Sequence, residues 1–264
     1  VRAATVTGLG SIAHPDDGGF AFGPDDISFQ GRGGAYVAVG GCGLVPGGGC
    51  GELIRLKSKG TWQTIADLNA YEADNNPDET TNPDRTPRLA SDPFAVLALP
   101  GEQLVVDAVG NDLLRVAANG EISTLTVFPQ RFVDDPSSPG TQILMDAVPT
   151  SVALEPDGAF YVSELTGHPF PAGVARIYRV VLGEEPQIYA EGFTNVVDIA
   201  FEGDGSLLVV EIAKNSLLSG DQTGALIRLK PDLTRETLLS EGLTMPTAVA
   251  IGKDHALYIS NCGV

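Results

Sequence analysis

Pro149-Thr150-Ser151-Val152-Ala153-Leu154, then Glu155-Pro156-Asp157-Gly158, then Ala159-Phe160-Tyr161-Val162-Ser163-Glu164 reads as a short apolar strand, a tight turn and a second strand. Glycine at the turn accepts the positive φ that a tight hairpin loop requires. The same phrase returns along the chain. Copies begin at Pro93-Phe94-Ala95-Val96, at Val196-Val197-Asp198-Ile199 (shifted by one) and at Pro246-Thr247-Ala248-Val249. Their turns are Pro100-Gly101, Gly203-Asp204-Gly205 and Lys253-Asp254-His255. Their second strands are Leu104-Val105-Val106, Leu207-Leu208-Val209-Val210-Glu211 and Leu257-Tyr258-Ile259-Ser260-Asn261. An earlier, looser copy pairs Asp26-Ile27-Ser28-Phe29 with Ala35-Tyr36-Val37-Ala38-Val39.

A third strand follows each pair, marked by arginine between apolar residues: Ile54-Arg55-Leu56, Leu114-Arg115-Val116, Tyr178-Arg179-Val180 and Ile227-Arg228-Leu229. Four equivalent arginines imply a structural role, bridging blade edges, over an anion site. A polar turn and an outer strand complete each unit, as in Asn119-Gly120-Glu121-Ile122-Ser123-Thr124-Leu125. Four-stranded antiparallel units recurring roughly every 50–65 residues are the signature of an all-β β-propeller. Full blades start near residues 26, 92, 149 and 196, with a half blade at 246–264 and a leading strand at 2–7. Five blades close the count if that strand completes the last one. We favour six, with residues 1–264 forming one propeller domain truncated at both ends.

Composition agrees. Of 264 residues, 43% are hydrophobic, and 32 glycines with 18 prolines punctuate short apolar runs. No apolar run approaches the roughly 18–20 residues of a membrane span. Thirty-four acidic against 16 basic residues give a formal charge of −18, which disfavours nucleic acid as a partner because phosphate binding needs a basic face. Cys42 and Cys50 flank a glycine-rich stretch that would let a disulfide close a surface loop, pointing to an oxidising compartment, extracellular or periplasmic. Two free thiols is the alternative. Cys262 is left over, and no second Cys/His pair has zinc spacing.

Several longer motifs carry a resemblance. Ala66-Asp67-Leu68-Asn69-Ala70-Tyr71-Glu72-Ala73-Asp74-Asn75-Asn76-Pro77 and Asp107-Ala108-Val109-Gly110-Asn111-Asp112-Leu113-Leu114-Arg115-Val116 are two of them. Others are Glu164-Leu165-Thr166-Gly167-His168-Pro169-Phe170-Pro171, Gly192-Phe193-Thr194-Asn195 and the ending Ser260-Asn261-Cys262-Gly263-Val264. Over essentially its whole length the chain resembles the ScyD/ScyE propellers, named for scytonemin biosynthesis gene clusters. The resemblance implies a secreted propeller continuing beyond both ends of this sequence. It assigns no reaction.

In a propeller, the start of each inner strand and the end of the second strand lie on one face around the channel. Asp26 and Asp198 share the first position, and Glu164, Glu211 and Asn261 share the second. Five oxygen-bearing side chains could thus converge on a Ca²⁺, which takes about 6–8 oxygens; solvation, or pairing with Lys214 and other bases, is the competing reading. Insertions at 40–51, 165–175 and 212–224 fall on the same rim, and bring His168, Lys214 and Asn215 as candidate binding residues. His14 and His255 read as surface residues, and 69–91 as a long polar loop. Asp74-Asn75-Asn76-Pro77-Asp78 starts like a calcium loop but places Glu79 where glycine is needed, so an EF-hand is rejected. No nucleophile elbow, Ser–His–Asp order or HExxH pattern appears. The expected function is an extracellular binding or assembly module for a protein or small-molecule partner. The alternatives are a Ca²⁺-dependent hydrolase or lactonase with a channel site, and a pigment-biosynthesis accessory protein. No organic cofactor is implied.

Overall fold

The repeats fold into antiparallel sheets in which each strand pairs with the next along the chain. A computed structural model of the protein describes residues 6–13, 21–31, 34–41, 50–57, 60–82, 84–155 and 157–263. The chain divides into two compact units, Val1–Val127 and Phe128–Gly263.

The first unit opens with a short pair, β1 (Ile12–Ala13) and β2 (Ala21–Phe22). The first blade follows: β3 (Pro24–Gln30), β4 (Gly34–Val39), β5 (Glu52–Leu56) and β6 (Trp62–Asp67). Helix α1 (Leu68–Asn75) then leads toward the second blade of β7 (Pro93–Leu99), β8 (Glu102–Asp107), β9 (Asp112–Ala117) and β10 (Ile122–Val127). The second unit starts with a two-stranded ribbon, β11 (Arg131–Asp134) and β12 (Gln142–Met145). Its two blades are β13 (Pro149–Leu154), β14 (Phe160–Glu164), β15 (Ala175–Val180) and β16 (Gln187–Phe193), then β17 (Val196–Phe201), β18 (Leu207–Glu211), β19 (Ala225–Leu229) and β20 (Arg235–Leu239). A pair, β21 (Ala248–Ile251) and β22 (Leu257–Ser260), ends it.

The architecture is therefore an all-β propeller of four complete blades, starting where the repeats place them. The expected leading strand at 2–7 falls almost wholly outside the described residues.

The second strand of each blade explains the apolar runs. Phe160–Glu164 and Leu207–Glu211 are buried at every position, and within the second unit the two strands share one apolar cluster. In the first unit Tyr36, Ala38 and Leu53 of one blade pack with Val96, Val105 and Leu114 of the next. In the second unit Tyr161, Ile177 and Phe193 pack with Ile199, Leu207 and Val209. Turn chemistry holds too: Gly101, Gly158 and Gly205 have φ of +89°, +88° and +85°, and His255 takes the same place at +62°.

Two expectations change. The arginines do not bridge blades; each serves its own. Arg115 pairs with Glu102 at 2.5 Å, Arg179 with Asp157 at 2.8 Å and Arg228 with Glu202 at 2.5 Å, all carboxylates beside the first hairpin of the same sheet. Arg55 instead lies over the ring of Tyr36, directly across the ladder. The 69–91 segment is not all loop. Asp67 caps α1 by accepting the Ala70 N–H at 2.8 Å, and Asn76 ends it in the left-handed region at φ 42°.

Candidate functional site

Every complete blade carries a β-bulge at the same place, between Pro24 and Asp26, Pro93 and Ala95, Pro149 and Ser151, Val196 and Asp198. An extra residue there bends the first strand and re-aims the side chain that follows. That side chain is the predicted pre-strand position, and it is turned onto backbone. Asp26 Oδ2 accepts the Val96 N–H at 2.9 Å. Asp198 Oδ2 accepts the Val249 N–H at 2.7 Å, while its Oδ1 accepts the Ile199 N–H at 2.8 Å and the Ser151 hydroxyl at 2.7 Å. Each acid satisfies an edge N–H on the first strand of the next sheet, a donor that an uncapped strand edge leaves without a partner.

The predicted end-of-strand residues are likewise engaged. Glu211 accepts the Thr194 N–H at 2.7 Å, and Asn261 accepts the Thr244 N–H at 2.7 Å and donates to the Gly242 carbonyl at 2.9 Å. Glu164 is fully buried and paired with Arg131, which donates to both carboxylate oxygens and to the Val174 carbonyl at 2.8 Å. Burial pushes the Glu164 carboxyl up, and Arg131 pulls it back. Glu211 follows the same logic, raised by burial against the Thr194 N–H, Arg235 and Lys214. The structure thus gives all five predicted cation ligands protein partners within their own units. Among the described residues no three acidic, histidine or cysteine side chains form a metal cluster.

Of the rim residues, Lys214 donates to Ser240 at 2.8 Å and Asn215 to Asp221 at 2.8 Å, both bracing the 212–224 loop. His168 is exposed, with its ring 6.2 Å from that of Phe170. The Cys42–Cys50 pairing rests on Cys42, which lies outside the described residues. Cys262 is an exposed thiol.

The sequence reading missed three features. Asp107 is the end-of-strand residue of the second blade, opposite Pro93 as Glu164 is opposite Pro149; reading the strand one residue too short hid it. The β11–β12 ribbon was also missed, although its alternation is plain once aligned: Val133 and Met145 point in, Phe132 and Leu144 out. Beside it lies a cleft of about 630 Å³ lined by Arg131, Phe132, Gln142, Pro171, Arg176 and Glu191 among others. The third is a set of buried acids around Glu72 and Asp112 in the first unit.

The sequence matches no protein-family model and no curated protein. Solved structures do match. Virginiamycin B lyase from Staphylococcus aureus is similar at 15% identity over 96% of this chain and 67% of the lyase, with a TM-score of 0.56. A structure of the nidogen/laminin complex matches at 15% identity over 97% of this chain and 83% of that one, TM-score 0.56. A putative gluconolactonase matches at 13% identity, covering 89% and 70%, TM-score 0.52. Likeness at such low identity establishes the propeller fold and nothing finer.

Proposed function

We propose that the chain is a propeller module, exported from the cytoplasm, that binds a protein partner through the β11–β12 ribbon and the cleft beside it. The observation that carries this reading is the outward face of the ribbon. Phe132 and Leu144 are cross-strand partners, 66% and 46% exposed, so two large apolar side chains stand together in water on a hydrogen-bonded support. Burying such a pair is favourable, and arginine is among the residues enriched where interfaces draw most of their binding energy. Arg176, 3.5 Å from Glu191, lines the cleft beside it.

The nidogen structure, solved with laminin, supports partner binding as one use of this fold, by analogy only. Export is supported by the cysteine pair in the glycine-rich stretch and by the resemblance to secreted ScyD/ScyE propellers. The metal-dependent lactonase reading has less support, because the side chains it needs as ligands already accept backbone N–H groups or an arginine.

Affinity capture from the exported protein fraction of the source cells, with wild type and a Phe132→Asp/Leu144→Asp double variant, tests the proposal. Wild type should retain a partner that the variant loses while keeping its thermal midpoint. Equal capture by both proteins refutes this surface.

A further inference from the structure

The buried acids of the first unit form an arrangement that protein atoms alone leave incomplete. Helix α1 buries Leu68 and Glu72, four residues apart on one face. One turn on, Asn76 closes the helix, its N–H bonded to the Glu72 carbonyl at 2.8 Å. Opposite stands the β8–β9 turn. Asp107 organises it by accepting the N–H groups of Val109 at 3.1 Å and Gly110 at 2.8 Å, and Asp112 opens β9 with no exposed surface. The loop after the helix adds Asp78, held by Thr80 and Asn111 at 2.9 Å each.

Among the described residues, the buried side-chain oxygens without a hydrogen-bond partner all fall here. They are Glu72 Oε1, Asn76 Oδ1 and both oxygens of Asp112. Glu72 is 1% exposed and Asp112 0%. Such oxygens are expensive to bury unless something binds them. Gly110 lets the two elements approach closely: a Cβ on it would stand 3.2 Å from Glu72 Oε2 and 3.1 Å from Asp107 Cγ. Glu72, Asp78, Asp107 and Asp112 bring four carboxyl groups together, and against them stands Arg88, 3.7 Å from Asp78.

We infer that this pocket between α1 and the β8–β9 turn takes a divalent cation, Ca²⁺, with Glu72, Asn76 and Asp112 as its side-chain ligands. An all-oxygen donor set of two carboxylates and an amide suits a hard cation, and the irregular helix-end and turn geometry suits calcium better than magnesium, which demands a near-ideal octahedron. Backbone carbonyls and water would supply the remaining ligands, as three acids do not stand at ligand spacing in this structure.

The test uses the purified full chain, freed of metal with EGTA and then given Ca²⁺ or Mg²⁺. Metal content by mass spectrometry should reach one calcium per chain. The thermal midpoint should rise by about 5 °C with Ca²⁺ at a hundredfold excess over its Kd. Gly110→Ala, which leaves every ligand in place, should still fold and should weaken calcium binding at least tenfold. Asp112→Asn should lose the calcium-dependent shift, and Asp221→Asn, on an exposed loop, should keep it. Absence of bound calcium together with equal midpoints in EGTA and Ca²⁺ would overturn the inference, as would an equal response to Mg²⁺ or undiminished binding by Gly110→Ala.

Discussion

Replacing Asp198 with alanine removes one carboxylate from three donors on three strands: the N–H of Ile199 on β17, the hydroxyl of Ser151 on β13 and the N–H of Val249 on β21. A hydrogen bond to a charged acceptor contributes about 1.5–3 kcal/mol. The Ile199 N–H keeps a second acceptor in the Ser151 hydroxyl at 3.3 Å, and that hydroxyl can rotate, so the main loss falls on the Val249 N–H. The expected cost is about 2–4 kcal/mol. Asp198→Asn should fare little better. Both oxygens of the acid are in use, so an amide must turn its NH₂ toward one of the donors. Urea unfolding in EGTA measures this as a lower midpoint at unchanged slope. A metal-ligand role predicts the opposite pattern, with asparagine tolerated and alanine harmful only when calcium is present. If Asp198→Ala unfolds within about 0.5 kcal/mol of wild type in EGTA, the clasp described here has no energetic content and the argument from it fails.

Ile199→Ala should lose about 2–4 kcal/mol, since Ile199 is 4% exposed within the core of the second unit; Val152→Ala should lose less, and both are read by chemical denaturation. Arg131→Met strands the buried Glu164 carboxylate and should cost about 3–5 kcal/mol at pH 7. Adding Glu164→Gln should restore part of that loss, which a double-mutant cycle measures. Asp92 is raised from 3.8 to about 6 by burial and by Asp107, against the Gly41 N–H. Its proton is bound more tightly in the folded chain, so its contribution is full below its ordinary value and lost as pH climbs through 6. Asp92→Asn, which retains an acceptor for Gly41, should therefore exceed wild type by about 1–2 kcal/mol at pH 7.5 and match it near pH 4. A pH-independent difference would refute the assignment.

The blades were legible because their repeats share turn glycines and apolar runs, signals local to a few residues. The equivalence of Asp26 with Asp198, and of Glu164 with Glu211 and Asn261, was legible for the same reason. Their partners were not. A repeat alignment shows which positions correspond, but not that a bulge turns Asp26 and Asp198 onto the main chain of the following sheet. Arg131, partner of Glu164, comes from the ribbon that carries no repeat signature. The helix at Leu68–Asn75 was hidden by its polar composition, although Asp67 followed by Leu68-Asn69-Ala70 offered a capping signal. Glu72 and Asp112 lie 40 positions apart in the numbering, and only the fold makes them neighbours.

The clasp between sheets has a consequence for how such a chain could grow. Asp26 and Asp198 grip peptide N–H groups, which every residue other than proline offers, so the grip makes no demand on the side chain of Val96 or Val249. A copied or exchanged module that keeps the bulge and the acid would keep this one contact whatever side chain its successor carries there. Selectivity between adjacent blades therefore falls to their apolar faces, which pack side chain against side chain.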